Sequence, residues 1–217
     1  SENDNCVVKT ALEIDKSNVK DLVGKKVGVP IGTAAHYGFL KQMDHFGIDV
    51  SKMEVVDMAP PDGAAAFAQG NLDMVCGWGG ALRRMKEHGN VLLSGAEKEK
   101  LGIQVFDVTS VPASFASEHA DLLAKFVGVT AEMNKMWLTK SKEMLPVIAK
   151  DAGMDEKGTA ATMATFSFPS AKEQLSAKWL GGGTQKFLKE VGDFFKKQGN
   201  IPASRDSYAG AVNTEAI

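Results

Sequence analysis

Between Lys25 and Leu93 short apolar runs alternate with helix-length stretches, and this alternation constrains the chain more than any other feature. Lys26-Val27-Gly28-Val29 reads as a strand. Residues 33–46 read as a helix with Thr33 at its N-cap, where a hydroxyl can take up an orphan first-turn amide. Residues 54–58 form the next strand. Pro60-Pro61-Asp62 opens the next helix, since proline suits a first turn, and Gly70-Asn71 ends it. Residues 72–76 read as a third strand, 79–88 as a third helix closed by Gly89, and 91–93 as a fourth strand. This β-α-β-α-β-α-β order predicts an α/β fold with a mostly parallel sheet flanked by helices.

From Ser117 onward the texture is helical. Leu122, Leu123, Phe126, Val127, Thr130, Met133 and Trp137 recur at helical spacing, as do Phe187, Leu188, Val191, Phe194 and Phe195. Both are amphipathic stripes that packing explains. Gly181-Gly182-Gly183 lacks a following Lys-Ser/Thr and reads as a linker rather than a phosphate loop. Two stretches of strand composition, residues 6–14 and 103–111, flank the α/β block where the chain would enter and leave it. Two such crossings, containing Val8 and Phe106, would make a hinge between lobes.

Composition excludes little but excludes it firmly. A net charge of −2 gives no electrostatic footprint for nucleic acid or an anionic membrane face. No apolar run approaches the roughly 18 residues of a membrane-spanning helix, and residues 1–5 are polar, without a signal-peptide apolar region. Cys6 and Cys76 show no CxxC or Cys/His spacing. They read as small buried core residues, the other reading being a bond between them.

Ligands of an open α/β sheet bind beyond the carboxyl ends of its strands, and three places qualify. In the first, from Pro30 to Tyr37, a strand enters a Gly-Thr turn and then a helix. The N–H groups of Thr33, Ala34 and Ala35, with the helix dipole, would form an anion site. There Thr33 can add a hydroxyl and His36 a charge near neutral pH. The alternative is a plain capped helix start with His36 in a packing role. In the second, Trp78, followed by Gly79-Gly80, can wall a pocket and stack on an ammonium, or can be a core residue. The third is Asp107, an acid within an apolar crossing strand. Its carboxylate needs a partner, either a ligand ammonium or a group of the protein. Catalytic constellations are poor. His36, His45, His88 and His119 are scattered, no G-x-S-x-G or HExxH occurs, and Glu97 with Glu99 lies in a charged, solvated run.

At these residues the sequence resembles the taurine-binding proteins of ABC importers, within the aliphatic-sulfonate and thiamine-precursor group of periplasmic binding proteins. The resemblance runs from Val7-Val8-Lys9 through Asp21-Leu22-Val23-Gly24-Lys25-Lys26-Val27-Gly28-Val29-Pro30, similar to a DLxGKxxxVP pattern. It continues with Thr33 to Tyr37 as an (S/T)xxHY segment, Pro60-Pro61, the turn Gly70-Asn71-Leu72-Asp73, Trp78 and Asp107-Val108. It ends with Phe168-Pro169 and the tail from Gln198 to Pro202. It implies a two-lobed, type II Venus-flytrap fold that delivers a small anion or zwitterion to a permease. It also implies no catalysis, cofactor or metal, a monomer when full length, and a periplasmic or extracytoplasmic location. Thr33, Ala34, Ala35, His36, Trp78 and Asp107 would line the cleft, with a sulfonate on the helix start and an amine facing Asp107.

The resemblance also divides the chain. Residues 1–22 would be a hinge strand and remnant of lobe 1, residues 23–103 a complete α/β lobe 2, and residues 104–217 the return strand and helical C-terminal part of lobe 1. The N-terminal part of lobe 1 would be missing, which would expose apolar surface. Ala34-Ala35 stands where the family tends to carry hydroxyls, and Gly79-Gly80 where Ala-Pro is usual. Both departures bear on whether taurine itself is the ligand. The other readings on the same fold are a binder of a thiamine pyrimidine precursor, a synthase-like enzyme, or an effector-sensing domain.

Overall fold

A computed structural model describes residues 3–105 and 107–217. The chain divides into two units. One is built on the residues up to Val105 together with Ala161–Phe166, the other on the remainder.

In the first unit, strand β1 (Asp4–Lys9) precedes β2 (Lys26–Val29), helix α1 (Ala34–His45), β3 (Glu54–Asp57) and α2 (Pro60–Ala68). Strand β4 (Met74–Trp78), α3 (Gly79–Lys86), β5 (Gly89–Val91) and α4 (Gly95–Lys100) follow. The sheet order is β3-β2-β4-β1-β5. Strand β2 pairs parallel with β3 and β4, while β1 runs antiparallel to both β4 and β5. The expected alternation is therefore present, with one antiparallel strand set into its interior. Helix α2 packs on α3, and α1 packs on β1, β4 and β2. Val7, Val75, Phe67, Leu72, Leu82 and Met85 form the core under α2 and α3. Strand alternation turns Cys6, Val8, Met74 and Cys76 to the other face, where α1 buries Phe39 and Met43. Each such large side chain taken out of water contributes roughly 1.5–3 kcal/mol.

Two expectations are corrected here. Cys6 and Cys76 stand directly opposite one another in the β1–β4 ladder and form a disulfide, with Cα atoms 4.0 Å apart. They are buried, as expected of core residues, but paired. The second crossing stretch forms no strand among its described residues, and Asp107 within it is exposed. Strand composition alone does not supply a neighbour with which to pair. Phe106 lies outside the described residues.

The second unit is helical. Helices α5 (Ala113–Glu118) and α6 (Ala120–Asp151) are followed by α7 (Glu156–Met163), whose end joins the first unit, then α8 (Ala171–Gln174) and α9 (Gly183–Lys197). Lys140 breaks α6 with φ −137° and ψ 35°. Trp137 meets Phe168 edge to face. Of the stripe on α6, Leu123, Val127 and Trp137 are half-buried. Leu122, Phe126, Val129 and Met133, spaced along one side of the helix, are all exposed. Gly181-Gly182-Gly183 is a compact turn. The N–H groups of residues 181–184 donate to the carbonyls of Ser176, Trp179 and Ala177, which leaves none of those four for a phosphate.

Candidate functional site

Strand order locates the site. Strand β2 leads through α1 to β3 on one side, while its neighbour β4 leads through α3 toward β5 on the other. The two loops diverge to opposite faces of the sheet and leave a crevice beyond the carboxyl ends of β2 and β4. Thr33 and Trp78 flank that crevice, Thr33 as N-cap of α1 and Trp78 as N-cap of α3. Because β1 is antiparallel, its first residues reach the same edge, with Asp4 opposite Trp78.

Most polar groups of the Pro30–Thr33 turn bond inward. The Ile31 N–H donates to Asp57 Oδ1 at 3.0 Å. The Gly32 N–H donates to His36 Nδ1 at 3.1 Å. The Thr33 hydroxyl donates to the Pro30 carbonyl at 2.6 Å and accepts from the His36 N–H at 3.3 Å. The hydroxyl proton expected to meet an anion is thus held within the turn. The N–H groups of Thr33, Ala34 and Ala35 have no acceptor among the described residues. They form one end of a 12-residue helix, where three amides and the dipole favour negative charge.

The geometry around His36 favours a neutral ring. A backbone N–H can only donate, so the Nδ1 that receives it is unprotonated. Burial of the ring lowers its pKa from the usual 6.5, opposed in part by the Asp57 carboxylate. Trp78 is 37% exposed at the strand end, with Ile31 45% exposed and Ala34 open beside the amides, so the indole is not a core residue. The corner therefore combines amides without an acceptor among the described residues, those of exposed Ala34, half-buried Thr33 and buried Ala35, with an apolar rim. Asp107 belongs to the second unit.

Sequence reading missed the residues that β1 and α4 bring to this edge. Asn3 accepts the Gly79 N–H through its carbonyl and its side chain, which caps α3. Asn5 donates to the Leu93 carbonyl at 2.9 Å. Lys98 is buried and its ammonium donates to the Asp4 carbonyl. Asp4, Asn5, Lys98, Ala34, Ala35 and Gln42 all line a slot of about 10 Å³ beside α1. Gln42 donates to Gly38, but its Oε1 has no partner among the described residues. A cluster of Asn and Asp next to the first strand was the available signal. Among the described residues no three His, Cys, Asp or Glu side chains converge as metal ligands would.

At the topological switch point of an open α/β unit, three unpartnered amides at one helix end can accept a small anion. The family model described as NMT1/THI5 like matches residues 5–144, and the chain belongs to that family. It is 26% identical over 208 residues to the taurine-binding periplasmic protein of Escherichia coli K12, covering 93% of this chain and 64% of that protein. Its fold is similar to the periplasmic aliphatic sulphonate binding protein SsuA from Escherichia coli. That likeness has TM-score 0.69 and 19% identity, over 94% of this chain and 63% of the other. It is also similar to the alkanesulfonate-binding protein SsuA from Xanthomonas axonopodis pv. citri bound to MOPS. Here the TM-score is 0.74 and the identity 18%, over 97% of this chain and 69% of the other. The chain thus spans slightly under two thirds of the length of the taurine-binding protein.

Proposed function

We propose that this chain belongs to an extracytoplasmic solute-binding protein that holds a small sulfonate-like anion and hands it, unreacted, to the permease of an ABC importer. The observation that carries the reading is the set of three unpartnered amides, Thr33, Ala34 and Ala35, at the β2–β4 crevice beside exposed Trp78. The names of the relatives support the ligand class and the periplasm. The Cys6–Cys76 disulfide supports an oxidising compartment. A role for Asp107 as partner of a ligand ammonium rests on the resemblance alone, because an exposed carboxylate demands no partner.

One substitution tests the amides without disturbing the helix. Ala34 is the first residue of α1, where proline is tolerated, and Thr33 before it is already extended at φ −102°, ψ 174°, as a residue preceding proline must be. Ala34→Pro removes one of the three N–H groups. A hydrogen bond to a charged group contributes about 1.5–3 kcal/mol, so affinity should fall roughly tenfold to a hundredfold. The measurement is isothermal titration with taurine, ethanesulfonate and an uncharged control. Unchanged sulfonate affinity in the variant sinks the amide corner. Equal affinity for taurine and ethanesulfonate removes the ammonium contact.

A further inference from the structure

Among the described residues, three helices begin with a hydroxyl N-cap whose oxygen accepts the N–H of the residue three positions on. In α4 and α8 that residue is a glutamate, and the box closes completely. The Ser94 N–H donates to Glu97 Oε2 at 2.9 Å, and the Ser170 N–H donates to Glu173 Oε2 at 2.8 Å. Both N-cap amides are thereby occupied, as a capping box requires. In α1 the same place holds His36, and the outcome differs. Its backbone N–H reaches Thr33 Oγ1, but its imidazole Nδ1 takes the amide of Gly32, one residue before the N-cap. The N-cap amide of Thr33 is left without an acceptor.

We propose that His36 is a positioning residue that bonds the Gly32 amide in place of the N-cap amide, and so keeps the Thr33 amide open for the ligand anion. This rests on the anion-binding reading above and deepens it. A glutamate in this place would offer its own carboxylate to the amide that the ligand needs. An imidazole carries its acceptor on a shorter, rigid arm, and here that arm ends at Gly32. Gly32 adopts φ 81°, the left-handed region that glycine enters readily, and a Cβ added there would meet nothing within 4 Å. The glycine is therefore required by the turn's conformation rather than by lack of space. Burial of the ring, with its lowered pKa, keeps Nδ1 available as an acceptor near neutral pH.

Two variants of the whole chain separate this role from a structural one. His36→Gln supplies the longer side chain of a capping box and should capture the Thr33 amide, with thermal stability equal to or above that of the parent. Sulfonate affinity should nevertheless fall about tenfold, the loss of one amide contact to an anion. His36→Asn places an oxygen where Nδ1 lies and should restore affinity to within a few-fold of the parent. Amide hydrogen exchange in ligand-free protein gives an independent readout. The Gly32 amide should be protected and the Thr33 amide exposed in the parent and in His36→Asn, and the order reversed in His36→Gln. Parent-like affinity in His36→Gln, or an exchange pattern that all three proteins share, overturns the proposal. If the parent binds no sulfonate, the proposed function falls, and the exchange pattern alone decides whether His36 governs which amide is open.

Discussion

The disulfide makes the first unit's stability depend on redox state, and the size of that dependence follows from topology. Cys6 and Cys76 are 70 residues apart, so the bond closes a loop that contains β2, α1, β3, α2 and most of β4. In the chain-entropy description, closing a loop of about 70 residues removes roughly 15 cal/mol/K from the unfolded ensemble, about 4 kcal/mol at 298 K. That is a large share of the 5–15 kcal/mol that typically separates a folded domain from its unfolded chain. Both sulfurs are buried, so reduction without unfolding is slow and the oxidised and reduced proteins can be compared without deleting an atom.

The assay is urea unfolding of oxidised and reduced protein, with near-ultraviolet dichroism reporting each transition. Reduction should lower the stability of the first unit by about 4 kcal/mol. The transition of the helical unit should stay where it was, because neither cysteine belongs to it. Two free thiols in the unreduced, denatured protein would refute the bond itself. A shift below about 1 kcal/mol would refute the loop-entropy argument. A shift in the helical transition would refute the assignment of the effect to one unit.

Two further perturbations follow from the same unit. Gln42→Met replaces a buried side chain whose Oε1 has no partner and should raise stability by about 1 kcal/mol, the relief of an unmet acceptor less the bond to Gly38; a loss of stability in urea unfolding would mean that the acceptor is satisfied after all. Hydrogen bonds from Lys16 and from the Ser94 backbone and hydroxyl hold the Glu97 carboxyl down at about 2, below its ordinary 4.5. Its folded pKa is depressed, so its contribution is fully present above 4.5 and lost as pH falls toward 2. Acid titration of the urea midpoint should show that loss in the parent and less of it in Glu97→Gln.

Local chemistry was legible and long-range pairing was not. Thr33, Pro60-Pro61 and Gly70 mark helix ends by backbone geometry that a few neighbouring residues determine, and α1, α2, β2 and β3 lie within a residue or two of where those signals put them. Strand β4 falls two residues later than its apolar run, at Met74–Trp78, because pairing with β1 sets its extent while Leu72 packs from the loop before it. The third pairing partner moves β5 the opposite way, to Gly89–Val91. The disulfide needed that same register, since nothing near Cys6 in the sequence announces a partner 70 residues away. In the candidate site, the capped helix start at Thr33 was legible. Which of its donors stay open was not, because that depends on where the side chains of His36, Asp57 and Thr33 turn.

The antiparallel course of β1 connects these outcomes. A parallel strand in that position would begin at the far edge of the sheet and leave the crevice to the loops after β2 and β4 alone. Reversed, β1 delivers Asn3, Asp4 and Asn5 to the edge at the carboxyl ends of β2 and β4, and Cys6 to a position opposite Cys76. Asn3 then takes the first amide of α3, and His36 takes the amide before α1. The N–H groups of Thr33, Ala34 and Ala35, without an acceptor among the described residues, lie together at the start of α1. Backbone amides cannot rotate away or ionise, so in the proposed site selectivity would come from position rather than from side-chain charge. An anion with several equivalent oxygens can engage three fixed donors at once, whereas one with a single exposed oxygen cannot. In the proposed site that geometric preference would not depend on side-chain hydroxyls, because the donors are the backbone amides of Thr33, Ala34 and Ala35.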